Sequence, residues 1–249
     1  MSSYGDSTVP AVGQTCIILA GGLGTRLRSA VPDRPKCLAP VGDRPFLDHQ
    51  IEALLRAGVT DIVLSLGHGA DQVLESMTRP VCARWPVRHV VEPRPLGTGG
   101  AIRFAMDHFG LDECWVANGD TYLTGSMAPL QQPLARASGE LLRMATVTVP
   151  DRSRFGGVAT DSQGFVSGFV DKGHQGPGVI NAGLYRLSRR ALPDSPAVLS
   201  LENDVLPGLV AQHAVRSVML SGSFIDIGVP EDYRRFCAEQ GAAPLQLDR

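Results

Sequence analysis

The sequence predicts an α/β fold, with a largely parallel, doubly wound sheet covered by helices on both faces. Three observations predict it. Short apolar runs alternate with helical periodicity through the first half. The first run, TCIILA, has the apolar centre of a buried strand. A glycine-rich stretch follows the first run at once.

Thr15–Ala20 (TCIILA) is the first strand. Phe46–Ala57 carries Leu47, Ile51, Leu54 and Leu55 at helical spacing, and Gly58 ends that helix. Asp61–Leu66 (DIVLSL) is the next strand and Arg88–Val91 the third. Gly100–Phe109 is a helix closed by Gly110, with Gly99 or Gly100 opening it, and Cys114–Ala117 is a fourth strand. The pattern changes after about Leu141. Leu141–Val149 is a longer strand, and Phe155–Thr160 and Phe165–Val170 flank the turn Asp161-Ser162-Gln163-Gly164 as a hairpin. Val179–Leu187 is a strand, Leu201–Val210 a helix, and Val215–Leu220 and Phe224–Ile227 are short strands. Pro230 suits the first position of a last helix, and Glu231 and Asp232 suit its dipole. The second half is therefore expected to be an insertion or lid built on the sheet. No linker, low-complexity tract or internal repeat interrupts the chain, and no hexapeptide β-helix repeat follows the core.

The chain has 249 residues and 43% hydrophobic content. That fits one large domain, able to bury its core without disulfides or metal staples. The formal net charge of −2 supplies no global field for nucleic acid, so a phosphate ligand must be met by local charge. The five cysteines are scattered, odd in number and without a CxxC pair, which predicts reduced thiols in the cytoplasm. No apolar run approaches the length of a membrane span. Met1–Gln14 is small and polar, expected as a flexible leader and not a signal peptide. The six histidines form no metal-ligand spacing.

Leu19-Ala20-Gly21-Gly22-Leu23-Gly24-Thr25-Arg26-Leu27 follows the first strand. Its glycines let backbone N–H groups approach an anion closely. A helix following it would aim its N-terminus at the same place. Arg26 adds a forked cation, and Lys36, stiffened by Pro32 and Pro35, adds a compact one. A dinucleotide-binding turn or a plain tight turn uses the same residues. The dinucleotide motif needs an acid at the end of the second strand, where this chain has Leu66-Gly67-His68; a P-loop needs a following GK[ST], which is missing.

GGLGTRL followed by RPKCLAPV resembles the signature of the sugar-nucleotide pyrophosphorylases, which are nucleoside-triphosphate:sugar-1-phosphate nucleotidyltransferases. The resemblance runs from Thr15 to about Arg235. The segments Glu92–Ala101, Asn118-Gly119-Asp120, Asn181–Tyr185 and Phe224–Gly228 look like the short guanylyltransferases acting on D-glycero-D-manno-heptose 1-phosphate. The resemblance implies a Rossmann-like (GT-A-like) mixed, mainly parallel sheet with a small antiparallel sugar-side lid. It implies a single domain over 15–249, with a nucleotide-binding half to about 140, a sugar-phosphate half from about 141 to 235, and a C-terminal helix.

It also implies roles. Leu19, Ala20, Gly21, Gly22, Gly24, Thr25, Arg26, Glu92, Gly97, Thr98 and Gly119 would bind the nucleotide. Arg26, Lys36, Asp120 and Asp226 would be catalytic, with Mg²⁺ held by Asp120 and Asp226. Gly156, Asp171, Lys172 and Asn181 would bind the sugar phosphate. Without the resemblance, Asn118-Gly119-Asp120 reads as an ordinary surface turn, Asp226 in its apolar setting needs either a metal or a backbone partner, and Lys172 is an exposed lysine. The family usually has Glu where this chain has Asp171.

Relatives using thymidine or uridine nucleotides often have Gln at the position of Glu92. A carboxylate only accepts, which suits the paired donors of guanine; the same residue can also simply cap its turn. The expected reaction joins GTP and a heptose 1-phosphate into GDP-heptose and pyrophosphate, for capsule or surface polysaccharide. The sugar phosphate is already an anion, so catalysis is positioning and charge neutralisation. The resemblance further implies self-association into a homo-oligomer. The rivals are a uridylyl-, thymidylyl- or cytidylyltransferase on a hexose 1-phosphate, a non-catalytic sugar-nucleotide-binding module, and a dinucleotide-dependent oxidoreductase.

Overall fold

The computed structural model describes residues 14–241 except 23, 25, 26, 28 and 29. The expected leader lies outside them up to residue 13. The centre of the fold is β1 (Thr15–Leu19), paired in parallel with β4 (Asp61–Leu66) on one side and β6 (Glu113–Asn118) on the other. β5 (Val87–Val91) extends the parallel set beyond β4. β1, β4 and β6 lack polar alternation because both of their faces are covered. Cys16, Ile18 and Leu64 point into one core, and Ile17, Val63 and Val116 into the other, all fully buried.

Three helices follow the parallel strands. α1 (Phe46–Arg56) buries Phe46, Leu47, Ile51 and Leu54, the face that its spacing predicts. α2 (Ala70–Met77), not anticipated, buries only Val73, so its periodicity is weak. α3 (Gly97–Phe109) starts earlier than expected, at Gly97, and ends at Gly110 in the left-handed region with φ 63°. Between β1 and α1 lies a short hairpin of β2 (Pro40–Val41) and β3 (Arg44–Pro45).

The second half is built onto the central sheet, as expected, and becomes part of it. β11 (Gly178–Ser188) pairs antiparallel with β6 and carries the sheet onward. β8 (Leu142–Val149) pairs with β11, and β12 (Val215–Met219) with β8. The predicted hairpin forms as β9 (Gly157–Thr160) and β10 (Val166–Val170), joined to β11 at Ile180 and Gly157. One nine-stranded sheet therefore contains both halves. Backbone pairing explains this: β6 has a free edge that only β11 satisfies.

Two strands stand apart. β7 (Thr121–Leu123), followed by the short α4 (Ala128–Gln131), pairs antiparallel with β13 (Phe224–Asp226). They pack with α6 (Pro230–Glu239) in a third core containing Phe46, Tyr122, Ile225 and Phe236. The expected helix over Leu201–Val210 divides into a π-helical turn, Leu201–Val205, and α5 (Leu206–Ala211). Ser200 Oγ caps the turn by accepting from the Asn203 amide at 3.1 Å.

Candidate functional site

A cleft of about 500 Å³ opens at the C-terminal ends of β1, β4 and β6, where open α/β sheets place their ligands. Leu19, Ala20, Gly21, Gly22 and Gly24 line it. Thr25 and Arg26, also expected here, lie outside the described residues. Two glycines are required by close backbone approach. A Cβ on Gly119 would lie 2.3 Å from the Leu19 carbonyl oxygen, and one on Gly21 would lie 2.8 Å from the Gly67 nitrogen. The Gly119 amide uses that closeness to donate to Leu19 at 3.1 Å, tying the ends of β1 and β6 together.

Three charged groups converge beside this loop. Lys36 opens a 3-10 turn after Pro35, and its Nζ pairs with Asp120 Oδ2. Asp120 follows β6, and its carbonyl accepts from the Ile227 amide at 2.9 Å. That bond and the β7–β13 pairing, which sets Asp226 opposite Thr121, bring the two acids from positions 106 residues apart to one place. Gly228 marks how close Asp226 lies to Lys36. A Cβ there would lie 2.5 Å from Asp226 Oδ1 and 2.8 Å from Lys36 Nζ. The Gly228 amide donates to Asp226 Oδ1 at 2.7 Å.

Two carboxylates with no third acid, histidine or cysteine in a metal-binding group among the described residues fit a hard divalent cation. Magnesium is commonly held by one or two carboxylates, with water and substrate phosphate completing its octahedron. The donor set suits that ion and does not suit zinc.

Gln50, which the sequence did not single out, holds the acidic turn from behind. Its Nε2 donates to the carbonyls of Asn118 at 2.7 Å and Thr121 at 2.8 Å, and the residue is buried on α1. A helix-borne amide thus sets the turn that carries Asp120.

Glu92 follows β5 at the other side of the cleft. Its Oε2 accepts from the Leu96 amide at 2.9 Å, which is the capping role. Its Oε1 also faces Gly67 and Gly21: Cβ atoms built there would lie 2.3 and 2.9 Å from it. Of the two roles weighed for Glu92, the cap is thus present in the geometry. Burial pushes its carboxyl above the usual range, partly offset by the Leu96 amide. Gly97 and Thr98, at the start of α3, line the same cleft.

Asn181 lies in β11 beside a bulge between Asn181 and Tyr185. Its Nδ2 donates to the Tyr185 hydroxyl at 2.6 Å, and its Oδ1 accepts from the Gly183 amide at 2.9 Å. Gly183, with φ 65°, passes so close to the acidic turn that its Cβ would lie 2.7 Å from Asn118 Nδ2. Asn181 is thereby brought towards Asp120. Gly156 precedes β9 and faces the Val170 carbonyl. Asp171 and Lys172 are exposed on the turn after β10 and do not line the cleft. Cys37 does line it, but burial pushes its thiol up to about 12, so it is a packed thiol and no nucleophile.

The chain matches the family described as Nucleotidyl transferase over residues 15–240. It is 33% identical over 221 residues to the D-glycero-alpha-D-manno-heptose 1-phosphate guanylyltransferase of Campylobacter jejuni, covering 88% of this chain and 97% of that one. It is likewise 33% identical over 224 residues to the mannose-1-phosphate guanyltransferase of Schizosaccharomyces pombe, covering 87% of this chain but 61% of that longer one. Among solved structures it is similar to HddC from Yersinia pseudotuberculosis complexed with GMP-PN, with a TM-score of 0.80, 36% identity, and 91% of this chain and 99% of that one covered.

Proposed function

Because the chain belongs to the nucleotidyl transferase family, we propose that it transfers a guanylyl group from GTP to a sugar 1-phosphate, releasing pyrophosphate. The sugar is D-glycero-D-manno-heptose 1-phosphate and the product GDP-heptose, made in the cytoplasm for a surface or capsule polysaccharide. The observation that carries this reading is the convergence of Lys36, Asp120 and Asp226 beside the glycine loop. That is a charge cluster suited to two polyanions that must meet.

Residues up to about 140 act as the nucleotide half and those from about 141 to 235 as the sugar-phosphate half. The amides of Gly21, Gly22 and Gly24, with Arg26, hold the β- and γ-phosphates. Lys36 offsets negative charge at the α-phosphate as the sugar phosphate oxygen attacks and pyrophosphate leaves. Asp120 and Asp226 would hold Mg²⁺, which would supply further charge neutralisation. Lys172 orients the attacking phosphate, and Gly156, Asp171 and Asn181 meet the sugar. Glu92 turns an acceptor towards the N1–H and 2-amino donors of guanine.

Membrane attachment is no part of this reading; among the described residues no helix is long and apolar enough to cross a membrane. The test is pyrophosphate release across GTP, UTP, dTTP, CTP and ATP, each paired with heptose, mannose and glucose 1-phosphates. GTP with heptose 1-phosphate is expected to turn over fastest, and only with Mg²⁺. Turnover with no pair would overturn the reading. A hexose acceptor is the second reading, favoured by the likeness to the mannose-1-phosphate enzyme; fastest turnover with mannose 1-phosphate would establish it.

A further inference from the structure

Glu202 has no part in the reading above, yet it lines the same cleft. It enters from the π-helical turn Leu201–Val205, more than eighty residues beyond the last of the strand ends that form the floor. Such turns interrupt regular helices and often occur at functional positions. Its carboxylate is held in an orientation. Oε2 accepts from the Thr98 hydroxyl at 2.7 Å and from the Ser200 hydroxyl at 3.3 Å. The Thr98 hydroxyl in turn accepts from the Leu201 amide at 2.8 Å. The segment that carries Glu202 is pinned to α3 by backbone: Leu199 donates to Leu96 at 2.8 Å, and Gly100 donates to Leu199 at 3.0 Å. A Cβ on Gly97 would lie 2.6 Å from the Leu199 oxygen, so this docking requires the glycine that begins α3.

One carboxylate oxygen is thus committed to Thr98 and Ser200. Glu202 Oε1 has no hydrogen-bond partner among the described residues, and the side chain is exposed to the cleft. A carboxylate only accepts, so its ligand must donate. The setting says which donor. Tyr185 is buried and its hydroxyl is raised by that burial, with the charges of Glu202 and Asp120 adding to the effect. Tyr185 holds Asn181. Glu202 shares the cleft wall with Asp120, Gly97 and Thr98, and is bonded to Thr98 at the start of α3. In that cleft the two substrates would offer hydroxyl groups, from the ribose of the nucleotide or the ring of the sugar phosphate.

We propose that Glu202 is a further substrate-binding residue, its Oε1 accepting a hydrogen bond from a hydroxyl of one of the two bound substrates. This rests on the nucleotidyltransferase reading and extends it to a residue that distinguishes substrates carrying that hydroxyl from those without it. A site built to pair with a hydroxyl rejects the deoxy analogue strongly, because its own acceptor is left unpaired.

The experiment compares the wild-type protein with Glu202→Gln and Glu202→Ala. KM and kcat are measured separately for GTP and for the sugar 1-phosphate that the wild type uses best. Parallel arms use 2′-deoxy-GTP, 3′-deoxy-GTP and ring-deoxy sugar 1-phosphates. Loss of a hydrogen bond to a charged acceptor is expected to raise KM for one substrate roughly tenfold to a hundredfold. Turnover should stay within about threefold, since the bond is made equally in ground and transition states. The wild type should discriminate against one deoxy compound, and both variants should lose that discrimination. A change confined to the deoxy-GTP arms assigns the ribose; one confined to the deoxy-sugar arms assigns the acceptor sugar.

Thermal melting separates binding from a latch role, because Glu202→Gln keeps an acceptor for Thr98 while removing the charge. Unchanged KM for both substrates with discrimination retained would overturn the proposal. So would losses that follow melting temperature across the two variants. An active wild type with unaffected variants defeats this inference alone, whereas a wild type that releases no pyrophosphate defeats the function beneath it.

Discussion

The two halves of the sheet hold their site residues in different ways. On the parallel side, the strand ends of β1, β4 and β6 deliver backbone directly. Gly21, Gly119 and the Asn118–Asp120 turn are fixed by contacts that tolerate no side chain. On the antiparallel side, Asn181 depends on a bulge, while Asp171 and Lys172 stand exposed on a turn. The parallel side resembles a preformed anion cradle, and the antiparallel side a wall finished by whatever it binds. Rigid backbone suits the phosphates, which are common to all nucleotides. Adjustable side chains suit the sugar, which differs between relatives.

The sharpest way to break this contrast is Lys36→Ala. By analogy with loss of an oxyanion donor, turnover should fall on the order of 10²–10³-fold. Near-normal turnover in a folded variant would remove Lys36 from the chemistry. Asp226→Asn should follow closely, with a higher Mg²⁺ requirement read from a metal titration of pyrophosphate release. An unchanged titration would place the metal elsewhere.

Gln50→Leu should be milder. It fills the same space but leaves the carbonyls of Asn118 and Thr121 without their donor. Each unmet buried acceptor costs roughly 1–3 kcal/mol. Melting temperature and turnover should therefore fall together, the latter about tenfold through a displaced Asp120. Lys172→Ala should act only on the other half, raising KM for the sugar 1-phosphate about tenfold and leaving KM for GTP unchanged. If it raised both, the division into halves would be wrong.

The smallest effect concerns Glu92. Its carboxyl is raised by burial, so the folded protein takes up this proton more readily than the unfolded chain. Stability from that proton is complete below the ordinary carboxylate range and is lost as pH rises through the raised value. Guanine recognition needs the opposite, ionised form, so GTP affinity should weaken as pH falls through that value. In Glu92→Gln this pH dependence should disappear and the preference for GTP over UTP should shrink about tenfold. Equal pH profiles for wild type and variant would show that Glu92 serves only the Leu96 amide.

Much of this was legible in the chain itself. TCIILA and DIVLSL are short apolar-centred runs without helical spacing, which read as buried strands. Asn118-Gly119-Asp120 follows such a strand, which is where ligands meet open sheets. The helical spacing of Leu47, Ile51 and Leu54 named the buried face of α1. Local periodicity carries that information because each residue's neighbours along the chain decide which way it faces.

Tertiary structure decided the rest. Nothing local distinguishes Gln50 from any polar residue of an amphipathic helix; only the packing of α1 against β6 and β7 gives its amide two carbonyls. Glu202 reads as a first-turn acid until the backbone of Leu199 docks on α3. The antiparallel half looked like a lid because strand order is a long-range choice, settled when β11 found the edge of β6. The sequence by itself determined the core strands, the buried face of α1, and the glycine and acidic turns at the strand ends. Pairing between distant strands determined which side chains share a cleft, because hydrogen bonding across a sheet joins residues without regard to their separation along the chain.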